Sequence, residues 1–221
     1  SGDWVGITGY PFRTQRGELT IRVLECRLLC KALRPLPEKW HGLKDTEVRY
    51  RRRYMDLIAN PDVREVFRKR SRILSSIRKT LEDHGTIEVE TPILSVLAGG
   101  ANARPFTTYH NALGIEMYLR IATELYLKRL VVGMFGRVYE MEVYWPYADY
   151  EDMMALAEEI IRNAAEVVVG PDVPKVLTYQ GVAIDFEKPF RRASMLDLVK
   201  EHTGVDISSM TDDGEARTLA A

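Results

Sequence analysis

Residues 137–145 read RVYEMEVYW. Two runs suited to β-structure, RVYEM and EVYW, meet there with nothing between them. Their aromatic and β-branched residues fit a pleated surface, yet the join holds no Gly, Asn, Asp or Pro with which to turn. The stretch is either one continuous strand or two hairpin strands whose loop is missing.

Working outward toward the C-terminus, residues 150–168 form an amphipathic helix with Met153, Met154, Leu156, Ile160, Ile161 and Val168 inward, stopped by Gly170 and Pro171. KVLTYQGVAIDF (175–186) predicts a hairpin turning near Gln180-Gly181. Ser194 with Asp197 opens a helix through His202 that Gly204 closes, and DDGEARTLAA (212–221) enters a further helix. Toward the N-terminus, MYLRIA (117–122) alternates as a strand, and Thr123 caps a short helix ELYLKRLVV that Gly133 ends. A strand-like IEVETPIL (87–94) precedes the Gly-rich AGGANARPF (98–106).

Asn60 as cap, Pro61 in the first helical position and Asp62 at the positive dipole end start a long helix. Val63, Val66, Phe67, Ile73, Leu74, Ile77 and Leu81 form its stripe, and Gly85 stops it. Before it, residues 1–30 read as a hairpin about Thr14-Gln15-Arg16-Gly17, and KALRPLPEKWHGLKDTE (31–47) reads as a surface linker. Interleaved helices and hairpins predict an α+β fold with an antiparallel sheet rather than regular βαβ units.

The chain has 221 residues, 46% hydrophobic and 29% charged, which suits one ordinary domain with a small appendage. No apolar run reaches the ~18–20 residues of a membrane span, and no signal peptide opens the sequence. A formal net charge of −1 means that any nucleic acid must be held by a local patch. The basic run Arg49, Arg51, Arg52, Arg53 could meet phosphate or could be a solvated face. Cys26 and Cys30 make neither a disulfide framework nor, without a second Cys/His pair, a metal site; a reducing cytoplasmic home follows. P-loop, GxGxxG, HExxH and GxSxG signatures are absent, and the four histidines are scattered.

LRPLPEKWHGLKD, RYRRRYMDLI, GTIEVETPIL, AGGANARPF, HNAL, YLRIATELYLKRLVVGMFGRVYE and YADYEDMM together resemble the catalytic domain of class II lysyl-tRNA synthetases. The resemblance implies a class II synthetase-like antiparallel sheet flanked by helices over residues 60–221. It also implies a linker over 31–59 and, over 1–30, the last strands of an anticodon-binding OB-fold β-barrel. The activity implied is ATP-dependent formation of lysyl-adenylate, with Mg2+, and lysyl transfer to tRNA(Lys) by a cytoplasmic homodimer. Gly85 and Pro92 fall in the first class II motif, which in the family builds the dimer interface. Gly99 and Gly100 match the glycine pair that lets backbone approach the amino acid. Glu124 matches the carboxylate that takes the lysine α-amino group, and Glu142 with Tyr144 the side chains that hold the ε-ammonium.

Read alone, Glu124 is a first-turn helix acid and Glu142 a solvated strand residue. Two other readings stand beside a lysine–tRNA ligase: a truncated or degenerate paralogue that dimerises and binds amino acid without activating it, and the related aspartate or asparagine branch. The resemblance also explains the opening stretch. In the family the strand matching RVYEM continues into an arginine that meets the ATP α-phosphate, then a mobile loop, before a second strand ends in the match to EVYW. That segment is absent between Met141 and Glu142, as are the third motif and its acidic metal ligands, so no metal ligand is assigned. Thr123 stands where the family usually has proline, and Thr86 where a larger apolar residue is usual.

Overall fold

A computed structural model describes residues 2–34, 36–37, 42–140, 142–209, 214 and 217. The chain divides into two compact units, Ser1–Ser71 and Arg72–Ala221.

In the first unit, β1 (Trp4–Arg13) and β2 (Leu19–Cys30) form an antiparallel hairpin. Its turn is closed where Gly17 N donates to Thr14 O at 2.9 Å and Thr14 N to Glu18 O at 3.0 Å. Apolar side chains stay exposed along both strands, Trp4 at 74% and Leu24 at 71%. A lone two-stranded ribbon is marginally stable in water, so this surface is of the kind that further structure covers. The stretch expected as linker contains two short helices, α1 (Thr46–Arg51) and α2 (Arg53–Ala59), the first capped by Asp45, whose side chain accepts from Val48 N at 2.8 Å.

α3 (Pro61–Asp83) follows as the spacing predicts, but the side chain of Asn60 does not cap it. Its Oδ1, the atom a cap would use, instead accepts from Leu43 N at 3.3 Å, while its amide nitrogen donates to Leu43 O at 3.0 Å and to Asp56 Oδ1 at 2.6 Å. The N-terminal part of the apolar stripe remains open, with Val66 62% exposed, whereas Leu81 is buried.

The second unit holds β3 (Ile87–Glu88), β4 (Leu94–Ser95), β5 (Thr107–His110), β6 (Ile115–Leu119), α4 (Glu124–Val132), β7 (Val138–Glu140) and β8 (Glu142–Tyr144). After these come α5 (Tyr150–Val169), β9 (Val176–Tyr179), β10 (Val182–Asp185), α6 (Met195–Thr203) and a short 3-10 turn at Ile207–Ser209. Sheets run β3-β7-β8, β4-β6-β5 and β9-β10. All pairings are antiparallel except β3 with β7, which is parallel. IEVETPIL is thus not one strand but the ends of two. Pro92 offers no N–H to a ladder, and the N–H of Thr91 goes to the Glu140 carboxylate at 3.0 Å. The β9-β10 hairpin turns at Gln180-Gly181, both at positive φ, and Ser194 caps α6 by accepting from Asp197 N at 3.1 Å. Of the expected helix in 212–221 only Gly214 and Arg217 are among the described residues, and both are helical; Met141 lies outside them.

RVYEMEVYW is resolved as two strands. Val138 pairs with Tyr144, Tyr139 with Val143 and Glu140 with Glu142, and the guanidinium of Arg137 lies 3.8 Å from the centre of the Trp145 ring at the far end. Only Met141 separates Glu140 from Glu142 in sequence, whereas hairpin loops ordinarily need two residues or more. Side chains alternate across the sheet. Tyr139 and Val143 face the core with Leu81 and Ile77 of α3 and Leu156 and Ile160 of α5. Val138, Glu140, Glu142 and Tyr144 share the other face.

Candidate functional site

Strands β7 and β8 are bordered by α4, which packs against both. Leu127 of α4 and Val138 of β7 are fully buried and anchor that contact. This puts the first residue of α4, Glu124, near the end of β8. Glu124 is ion-paired with Lys128 one turn along, a helix-surface pair of small energetic weight.

Thr123 precedes Glu124 but does not cap the helix: its backbone is helical, and its buried hydroxyl has no partner among the described residues. Gly100 has φ +91, and a Cβ there would lie 3.3 Å from Ala122 Cβ. A Cβ on Gly99 would meet Leu125 at 3.3 Å. The pair therefore lies against the residues on either side of Glu124, and Gly100 is in a left-handed conformation that glycine alone adopts without strain.

On β8, Tyr144 donates its hydroxyl to Glu142 Oε2 at 3.2 Å. Burial pushes the Tyr144 hydroxyl up to about 12, with the carboxylates of Glu142 and Glu124 adding to the rise. The phenol therefore stays protonated at neutral pH. Glu142 has no cationic partner among the described residues. Gly100, Glu124, Glu142 and Tyr144 thus come from three separate stretches: the glycine loop against Ala122, Glu124 on the helix that follows, and the strand pair beside that helix.

Gly85 and Pro92 are not part of this group. Gly85, at φ +70, ends α3 as Thr86 N donates to Leu81 O at 3.0 Å. Pro92 lies in the turn between β3 and β4.

Sequence reasoning missed a polar cluster beside the site. Arg120 donates to Glu140 Oε1 at 2.8 Å and Oε2 at 3.1 Å, and to Thr91 O at 2.9 Å. Burial pushes the Glu140 carboxyl up, but hydrogen bonds from Arg120 and Thr91 outweigh it and hold the group below the ordinary glutamate value. The signal was the arginine of MYLRIA: a charged residue ending a strand next to a buried segment needs a partner. No group of three or more His, Cys, Asp or Glu among the described residues could hold a metal ion.

Residues 45–142 match the family of class II tRNA synthetases (D, K and N). Over this part the chain is similar to a class II tRNA synthetase domain. Similarity to known proteins extends beyond it. A lysine–tRNA ligase of Clostridium botulinum (strain Hall) is 52% identical over 239 positions, covering 99% of this chain and 47% of the relative. A lysine–tRNA ligase of Clostridium perfringens (strain SM101) is 50% identical with the same coverage. The chain spans about half the length of the curated relatives it matches. The alignment of 239 positions exceeds the 221 residues of the chain by 18, so at least that many aligned positions have no residue here.

Proposed function

We infer that the chain carries the amino-acid recognition part of a lysine–tRNA ligase, which activates L-lysine with ATP to lysyl-adenylate and transfers it to tRNA(Lys). The observation that carries this reading is the Glu142–Tyr144 pair, an uncompensated carboxylate beside a protonated phenol, on a sheet face bordered by Glu124. A lysine ε-ammonium needs a carboxylate on entering a closed pocket, since an unpaired buried charge is costly. The Tyr144 oxygen supplies a second, directional acceptor. Glu124 receives the α-amino group, and Gly100 leaves room for backbone to approach it. A neutral isostere would leave Glu142 desolvated and unpaired, which is the source of selectivity.

The remaining assignments follow the same reading. Residues 1–30 are the end of an anticodon-binding OB-fold, 31–59 connect it, and 60–221 belong to the catalytic domain. The exposed apolar surface of the first hairpin supports this assignment. The open stripe of α3, the helix that Gly85 ends, supports a homodimer interface built on the first motif to which Gly85 and Pro92 belong, and the protein works in the cytoplasm. The single residue between Glu140 and Glu142 supports a missing segment at that join, the place of the ATP-contacting arginine and mobile loop. The residues present do not fit Mg2+, because no carboxylate cluster able to hold it occurs among those described. No step of adenylate formation is therefore routed through them, and their work is to bind and orient the amino acid. A second reading stands beside it, a chain that dimerises and binds lysine without activating it.

Exchange of pyrophosphate into ATP by the complete gene product separates these. Exchange that depends on lysine supports the ligase. Lysine binding without exchange supports the second reading, and exchange driven only by aspartate or asparagine rejects both.

A further inference from the structure

The register of β7 and β8 sets two glutamates directly opposite one another on the ligand face, Glu140 against Glu142. Like charges in that relation repel, and together they would make a doubly negative patch. The two are treated differently. The Glu140 side chain is 15% exposed and takes both terminal nitrogens of Arg120, itself 25% exposed. Its Oε2 also accepts from Thr91 N. Glu142 faces solvent with only the Tyr144 hydroxyl beside it.

We propose that Arg120 and Glu140 are a positioning pair for lysine selectivity: the arginine cancels Glu140, so that Glu142 alone presents net charge to the ε-ammonium. This rests on the lysine reading above and adds to it a determinant one residue beyond the ligands. The pair has a second effect through the backbone. Arg120 also holds Thr91 O, and its own N–H donates to Ile93 O at 2.8 Å. One side chain therefore ties the ends of β6 and β7 to the turn that contains Pro92. Two consequences can be separated, one electrostatic and one structural, because a charge can be kept while the fork geometry is lost.

Lysine and norleucine, which lacks only the ε-ammonium, are titrated calorimetrically into the chain and three variants, with thermal melts to confirm folding. The measured quantity is the ratio of the two affinities within each protein, which cancels any loss of folded fraction. In Glu140→Gln the Arg120 charge is left uncancelled. Its repulsion of the ammonium, at an effective dielectric constant of about 20, lowers the lysine preference by roughly tenfold or more. Arg120→Lys keeps the charge but not the fork, and retains the preference to within about threefold. The double variant Arg120→Gln, Glu140→Gln removes both charges and restores most of the preference lost in Glu140→Gln.

Should Glu140→Gln bind lysine and norleucine in the unmodified ratio, the pair has no part in selectivity and the proposal is overturned. An equal loss in Arg120→Lys and Glu140→Gln would likewise overturn it in favour of a purely structural clamp. If the unmodified chain binds no lysine at all, the lysine reading itself fails and takes this inference with it, an outcome distinct from the first two.

Discussion

In the first unit, Asp56 is fully buried, and its oxygens are taken by Arg49, Arg53 and Asn60. In the second, Glu142 stands exposed on a sheet face with one tyrosine hydroxyl for company. Both are acids in strings that resemble the same family, and neither could be told from the other by residue type. The contrast lies in what the chain itself supplies. A carboxylate saturated by its own chain, buried and held by two guanidiniums, holds the fold together. One left uncompensated beside a protonated phenol has its partner still to come. Glu140 stands between them in kind, next to Glu142 in space but satisfied like Asp56.

The largest effect that would sharpen this contrast is expected at Asp56. Replacing it by Ala strands two guanidiniums and an amide around a vacated buried site, at a cost of about 3–5 kcal/mol in chemical denaturation. Glu142→Gln should leave that stability within about 0.5 kcal/mol and weaken lysine binding by roughly 10–100-fold, the worth of a hydrogen bond to a charged group. Equal stability losses at the two positions would break the comparison. Gly100→Ala forces a Cβ into left-handed backbone against Ala122 and should cost about 1–2 kcal/mol, with lysine affinity falling if the loop shifts. Tyr144→Phe is the mildest change, losing one neutral hydroxyl, worth about 1 kcal/mol, or roughly fivefold in lysine affinity.

Acid tests the same distinction. Asp56 is pushed up by burial but brought below its ordinary value by Asn60, Arg49 and Arg53, as Glu140 is by Arg120 and Thr91. The unfolded chain therefore takes up these protons first as pH falls. Stability from both groups is complete above their unfolded values, near 3.9 and 4.3, and is lost as pH drops through the depressed folded ones. Denaturation midpoints should fall steadily below about pH 4.5, less steeply in Asp56→Asn and Glu140→Gln. A slope unchanged by either substitution would contradict the pairing seen here.

Much of this was legible in the residues. Pro61 and Asp62 placed α3, the apolar periodicity of 150–168 placed α5, and the strings around Glu124 and Tyr144 pointed to a candidate site before any geometry was known. Three things were not legible, for physical reasons. Pro92 and a side-chain claim on the Thr91 N–H divide what looks like one strand. Asn60 and Thr123 stand at helix starts without capping, since the Leu43 N–H takes the side-chain oxygen of the first and the helical backbone of the second leaves its buried hydroxyl without a partner among the described residues. The Arg120–Glu140 pair joins residues twenty apart in sequence, and pairs at that distance leave no periodicity to read.

The central claim, that Glu142 awaits a lysine ammonium, is tested most directly by titrating L-lysine and norleucine into the chain and into Glu142→Gln by calorimetry. The account predicts that the unmodified chain binds lysine in clear preference to norleucine and that the variant loses this preference by tenfold or more. Binding of both ligands with equal affinity, or a preference that survives in Glu142→Gln, would contradict it.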